Sequence, residues 1–315
     1  MRLAPIALVL LLVVVPASAR AWCQMVTPRP CERASDCLTG QGCTDSGQCA
    51  WIGAPLECEV PDFARTFPIA WRRRCTTMTI SAASPSGDLM RQHVAAILER
   101  SIATWEAVRC EGGGTPGLDV TLLDEPDECV RASHSSSGGN VHSLIFVDEG
   151  WATERMHDPR AFAVTSVWFG AGGEIFDADI EMNEALGPYV ECDPAGCTTP
   201  GVVDLESTLT HELGHYFGLA HSPHDPLATM WFDADPRETH KRDLAEDDVA
   251  GICTMYPPGS LPDACNPDPR GGLDLDCRTV ESCNCRAPGV RTAPTPALVL
   301  ALMITLLAIA ARRRR

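Results

Sequence analysis

Apolar positions recur along this chain with two different periods, and the periods mark its elements. In residues 88–108, Leu89, Val94, Ile97, Leu98, Ile102, Trp105 and Val108 form one stripe at helical spacing, which predicts an amphipathic helix facing a core. Around it lie short segments rich in β-branched and aromatic residues. Thr76-Thr77-Met78-Thr79-Ile80 ends a first strand within 71–81, and residues 118–123 and 141–147 predict the second and third. Residues 161–169 and 174–181 predict two more, separated by Gly170-Ala171-Gly172-Gly173. Residues 205–219 return to helical spacing, with Asp204 placed to cap the first turn. A Ser/Gly-rich stretch at 133–140 reads as a loop.

The two ends have another character. Residues 1–19 read as a signal peptide: Arg2, an apolar run over 3–15, then Ala17-Ser18-Ala19 as the cleavage site. Residues 20–62 form a small module in which Cys31, Cys37, Cys43 and Cys49 recur every six residues, with Gly40, Gly42 and Gly47 as turn formers. Such a segment has too little apolar mass to fold without cross-links. It could be a stalk or pro-segment, or a module that binds a partner or surface. Residues 63–258 form the main domain, and 259–291 a linker rich in Pro, Asp, Gly and Cys. Residues 292–315 carry a fifteen-residue apolar run from Ala297 to Ala311 and then four arginines. That run reaches about 22 Å as a helix, short of a hydrocarbon core of about 30 Å.

Composition narrows the function classes. A net charge of −17 over 315 residues argues against a nucleic-acid partner. Sixteen cysteines are too many for a reducing compartment, and no second Cys/His cluster has zinc-finger spacing, so disulfides are expected, with Cys192 and Cys197 placed to pair locally.

The chemistry is concentrated in His211-Glu212-Leu213-Gly214-His215-Tyr216-Phe217-Gly218-Leu219-Ala220-His221. Four residues apart on a helix, His211 and His215 share one face. Gly218 lets the chain leave the helix, and the turn brings His221 back as a third nitrogen. Three nitrogen donors with a fourth position open are the pattern of a catalytic zinc. Glu212, beside a ligand but not one itself, is placed to take a proton from the zinc-bound water.

This extended motif resembles that of the metzincin metallopeptidases, with Met230 as their methionine turn. Within them the chain is similar to the matrixins. His221-Ser222, Asp225-Pro226 and Ala228-Thr229-Met230 read like the matrixin run after the third histidine, and Leu244, Asp247-Asp248, Gly251-Ile252 and Tyr256 like its C-terminal helix. The resemblance implies an α+β, metzincin-type domain. Its twisted sheet has five strands, mostly parallel, with the 161–169 strand antiparallel at the cleft edge; an active-site helix and a C-terminal helix complete it, with disulfide-rich segments on either side. It implies one catalytic Zn2+ on His211, His215 and His221, with Glu212 as general base. It also implies polypeptide substrates that add to the edge strand through main-chain hydrogen bonds, and a monomeric enzyme. The rival readings are a surface-binding protein with a vestigial peptidase domain, against which Glu212 stands intact, and a zinc hydrolase acting on non-peptide bonds.

Some positions depart from the family. Matrixins hold a second, structural zinc through histidines in the 161–169 and 174–181 strands. Here Ile175 precedes Phe176-Asp177 and the edge strand has no histidine, so that ion is not expected, despite His157-Asp158 upstream. Asp177, Asp179 and Glu181 could contribute to a Ca2+ site. At period two they also read as one solvated strand face, which is the reading preferred here. Residues 231–242 are expected to wall the pocket beside the zinc, but Phe232-Asp233-Ala234-Asp235 replaces the family's Pro-x-Tyr. Cys58-Glu59-Val60-Pro61-Asp62 repeats part of the matrixin cysteine switch, with Glu57 and Glu59 where the family has Arg and Gly; the alternative for Cys58 is an ordinary disulfide. The C-terminal run, with Cys283-Asn284-Cys285-Arg286 before it, resembles the MYXO-CTERM bacterial sorting signal. That implies export, a membrane contact through the tail before processing, and a mature chain held at the cell surface or released.

Overall fold

The computed structural model describes residues 67–82, 89–170, 172–222 and 225–277, with the backbone of three short strands at 25–26, 41–43 and 49–51. The expected signal peptide, Cys58 and the C-terminal tail lie outside the described residues, as does most of the N-terminal module. Among the described residues no helix is long and apolar enough to cross a membrane.

The elements are β1 (Cys75–Ile80), α1 (Arg91–Glu106), β2 (Asp119–Leu122), β3 (Ser143–Val147), β4 (Ala163–Phe169), β5 (Ile175–Asn183), α2 (Leu205–Tyr216) and α3 (Glu246–Met255). The strands form one sheet in the order β2-β1-β3-β5-β4. Four are parallel, and β4 runs antiparallel to β5 at the edge, with Thr165 opposite Ile180 and Trp168 opposite Asp177. This is the α+β architecture of a matrixin or metzincin domain.

The core lies between one sheet face and the helices. Met78, Ile80, Leu144, Phe146, Ala178, Ile180 and Met182 meet Val94, Leu98, Ile102 and Trp105 of α1 and Leu205, Leu209 and Leu213 of α2. The apolar stripe of 88–108 is therefore core. Trp105 also donates its indole N–H to Thr210 O at 2.8 Å, which fixes α1 against α2. Truncating a tryptophan buried this fully typically costs about 3–5 kcal/mol.

The opposite sheet face differs from the sequence expectation. Asp177, Asp179 and Glu181 are not a solvated face; all three are buried. The alternation was correctly periodic, but both faces of this sheet are covered. Ile145, Val147, Cys129, Val141 and Trp151 form a second apolar cluster there, with Leu275 and Cys277 packed on it. The buried carboxylates satisfy groups of the covering segments. Asp179 accepts from Ser133 N at 2.9 Å and Ser143 N at 2.8 Å. Glu181 accepts from Arg155 Nε at 2.8 Å and stands 2.9 Å from His157 Nε2. Asp177 Oδ2 lies 3.1 Å from His134 Nδ1. Burial pushes the Asp177 and Asp179 carboxyls well above the usual range.

Apart from Asp177 Oδ1, which has no hydrogen bond, these oxygens are taken up by the chain's own donors, so too few remain for a Ca2+ ion, which needs six to eight oxygen ligands. A calcium-selective chelator should therefore leave the thermal midpoint of unfolding unchanged, whereas His157→Ala should lower it by leaving Glu181 short of a partner. A chelator-induced drop of several degrees would contradict this.

Residues 259–277, expected to be a linker, run back over the domain instead. Cys265 is bonded to Cys75 and Cys277 to Cys129. Asn140 N donates to Gly272 O, Asp274 N to Asn140 O and Glu128 N to Leu275 O. The Arg270 guanidinium sits 4.0 Å from the centre of the Phe176 ring. Cys110–Cys253 and the local Cys192–Cys197 bridge complete four disulfides among the described residues.

Candidate active site

Helix α2 is held at both ends. Asp204 caps it, accepting from Ser207 N at 2.9 Å, and Arg242 Nε donates to the same carboxylate at 2.9 Å. At the other end, carbonyls with no partner inside the helix are met by aromatic donors. Trp71 Nε1 donates to Tyr216 O at 2.9 Å and Tyr256 OH to Phe217 O at 2.6 Å. The helix stops at Tyr216, earlier than the spacing suggested, because Gly218 takes φ +94°. A Cβ there would overlap the Ile69 carbonyl. Only glycine fits, and the turn it makes returns His221 toward α2.

His211, His215 and His221 come together, with ring nitrogens that all lie within 4.8 Å of one another. His211 Nδ1 is 2.6 Å from Thr229 O and His215 Nδ1 is 2.8 Å from Leu219 O. A carbonyl can only accept, so both Nδ1 atoms carry the proton and both Nε2 lone pairs face inward. Burial pushes His211 and His215 below the usual imidazole range, and His221 down to about 4. Neutral imidazole is the form that binds metal. His215 Nε2 and His221 Nε2 stand 3.2 Å apart. Two corners of a zinc tetrahedron with Zn–N bonds of about 2.0–2.1 Å would be about 3.3 Å apart. The donor set, its tautomers and its spacing fit a zinc ion.

Glu212 is buried beside this cluster, and burial raises its carboxyl to about 7. Thr165 of β4 donates its hydroxyl to Glu212 Oε2 at 2.6 Å. No sequence feature marks this role, since Thr165 is one residue of an ordinary strand. It follows from β4 lying over α2.

Met230 is buried under the histidines, with its sulfur where a Cβ on Gly214 would stand. Gly214, read from sequence as a free position of the motif, is thus required by the methionine. Asp248 of α3 holds this turn with one carboxylate, accepting from Thr229 N at 2.7 Å, Met230 N at 3.0 Å and Ala245 N at 2.8 Å. The 231–242 segment forms a wall of the cleft, through Phe232, Asp233, Ala234, Asp235, Pro236, Glu238 and Lys241. Lys241, also missed in the sequence, is buried and donates to Trp231 O and Asp233 O, each at 2.7 Å.

Residues 119–257 match the matrixin family. A stretch of 75 residues is 52% identical to Metalloendoproteinase 1-MMP of Arabidopsis thaliana, covering 24% of this chain and 20% of that protein. Another of 53 residues is 43% identical to Metalloendoproteinase 1 of Glycine max, 17% of each chain. The chain thus spans about a fifth of the length of these relatives. The part of the chain that carries the histidines, Glu212 and Met230 is matrixin-like.

Proposed function

We propose that this chain is an exported, zinc-dependent endopeptidase that hydrolyses peptide bonds in extracellular polypeptides. The observation that carries the reading is the convergence of three neutral imidazoles with a buried, strand-held Glu212 in one open cleft. When bound, zinc supplies a Lewis acid with one position left open, which acidifies water and polarises a carbonyl.

The chain's own residues do the rest. Edge strand β4 leaves one side of its backbone unpaired by β5, so an extended peptide can lie along it as a sixth strand. Glu212, buried beside the histidines and held by Thr165, is placed to accept a proton and to release it again. Its carboxylate takes a proton from the attacking water. It then delivers that proton to the amine nitrogen as the C–N bond breaks. Thr165 fixes the orientation of the carboxylate. Thr165→Val should lower kcat by about 10- to 100-fold with little change in KM or zinc content, and Thr165→Ser should restore it. An unchanged kcat in the valine variant would remove Thr165 from the mechanism.

Export is supported by four disulfides among the described residues, which suit an oxidising compartment. The test of the function is incubation of the purified chain with a protein substrate. Cleavage should stop on zinc chelation and return on adding zinc. Cleavage indifferent to the metal, or none by zinc-loaded protein, would overturn the reading.

A further inference from the structure

The histidine face of α2 continues one turn toward its N-terminus, so Ser207, His211 and His215 stand in line at four-residue spacing. Together they line a cavity of about 390 Å³ that runs on beside the 232–238 wall. The polar groups of this cavity are unevenly matched. Ser207 is buried and its Oγ has no hydrogen-bond partner. Glu238 Oε1 is also buried without a hydrogen bond. Lys241 Nζ pairs with it at 3.5 Å while giving two of its three N–H groups to the carbonyls of Trp231 and Asp233. Asp233 and Asp235 line the same cavity. The other cation in the lining, Arg160, is turned to Asp158 at 2.9 Å.

We propose that this cavity receives a substrate side chain ending in nitrogen donors, lysine or arginine, next to the scissile bond. The proposal rests on the endopeptidase reading above and names its substrate class. An acidic side chain would meet three carboxylates, Asp233, Asp235 and Glu238, against the one ammonium of Lys241, which already pairs with Glu238. An aliphatic side chain would leave Ser207 Oγ without a partner and the excess of carboxylates unbalanced, and sites whose buried polar groups are left unpaired reject such ligands. A lysine or arginine supplies N–H donors to this polar lining and a second cation beside its carboxylates. The net charge of −17 acts in the same direction, since it attracts basic polypeptides to the molecule.

The experiment is cleavage of a peptide library by the zinc-loaded chain, with every cut read by mass spectrometry, for wild type, Glu238→Gln and Ser207→Ala. In wild type, one position flanking the cut should favour Lys or Arg over Leu by on the order of tenfold in kcat/KM. Glu238→Gln should bring that ratio close to one, and Ser207→Ala should reduce it. If Glu238→Gln fails to fold by circular dichroism, Asp235→Asn read in the same way should narrow the ratio. Library cleavage with an aliphatic or acidic preference at both flanking positions, or an unchanged ratio in the folded variants, overturns this proposal and leaves the endopeptidase reading standing. A zinc-loaded wild type that cuts no peptide overturns both.

Discussion

Glu212→Ala is expected to keep its zinc and to lose peptide hydrolysis by about 10²- to 10⁴-fold, the range that general acid–base groups contribute. The three imidazoles that fit the metal do not depend on this side chain. The Nδ1 protons of His211 and His215 go to Thr229 O and Leu219 O, and Glu212 is tied to Thr165 instead. Metal content by mass spectrometry should therefore match wild type while turnover collapses. His215→Ala should behave differently, losing metal and activity together. Near-native turnover in Glu212→Ala would sink the assignment of the base.

A chain cut after residue 258 is expected to be strongly destabilised, although the sequence alone reads everything beyond as linker and tail. The cut removes Cys265 and Cys277 and leaves Cys75 and Cys129 without partners. Those bridges span 190 and 148 residues. Losing a native disulfide typically costs about 2–5 kcal/mol, and a whole domain is stable by only about 5–15 kcal/mol. The cut also uncovers Asn140 and Glu128, whose backbones bond the 259–277 segment. A chain cut after residue 280 keeps every one of these links. Urea denaturation should place the two far apart, with the longer form close to the uncut chain. Equal midpoints for the two truncations would show that the strap contributes nothing.

What could be read in advance follows from how far apart in sequence the causes lie. The histidine motif was legible because its geometry is local. A helix spacing of four, one glycine turn and a third histidine fall within eleven residues. The strands and the α1 stripe were legible for the same reason. The Asp177, Asp179 and Glu181 face was misread because its burial is decided by residues 127–142 and 259–277, brought over it by long-range disulfides. Period-two alternation places those side chains on one face but does not say what covers that face. Thr165 was invisible because its partner is reached only once β4 is laid over α2. Gly214 was visible as a letter but not as a requirement, since the sulfur that needs its space belongs to Met230, sixteen residues on.

The most direct test of the zinc site is a crystal of the chain measured at the zinc absorption edge. One anomalous peak is predicted, bonded at about 2.0–2.1 Å by the Nε2 atoms of His211, His215 and His221, with the fourth position free of any protein atom. A peak elsewhere, or a fourth protein ligand closing the site, would contradict the account.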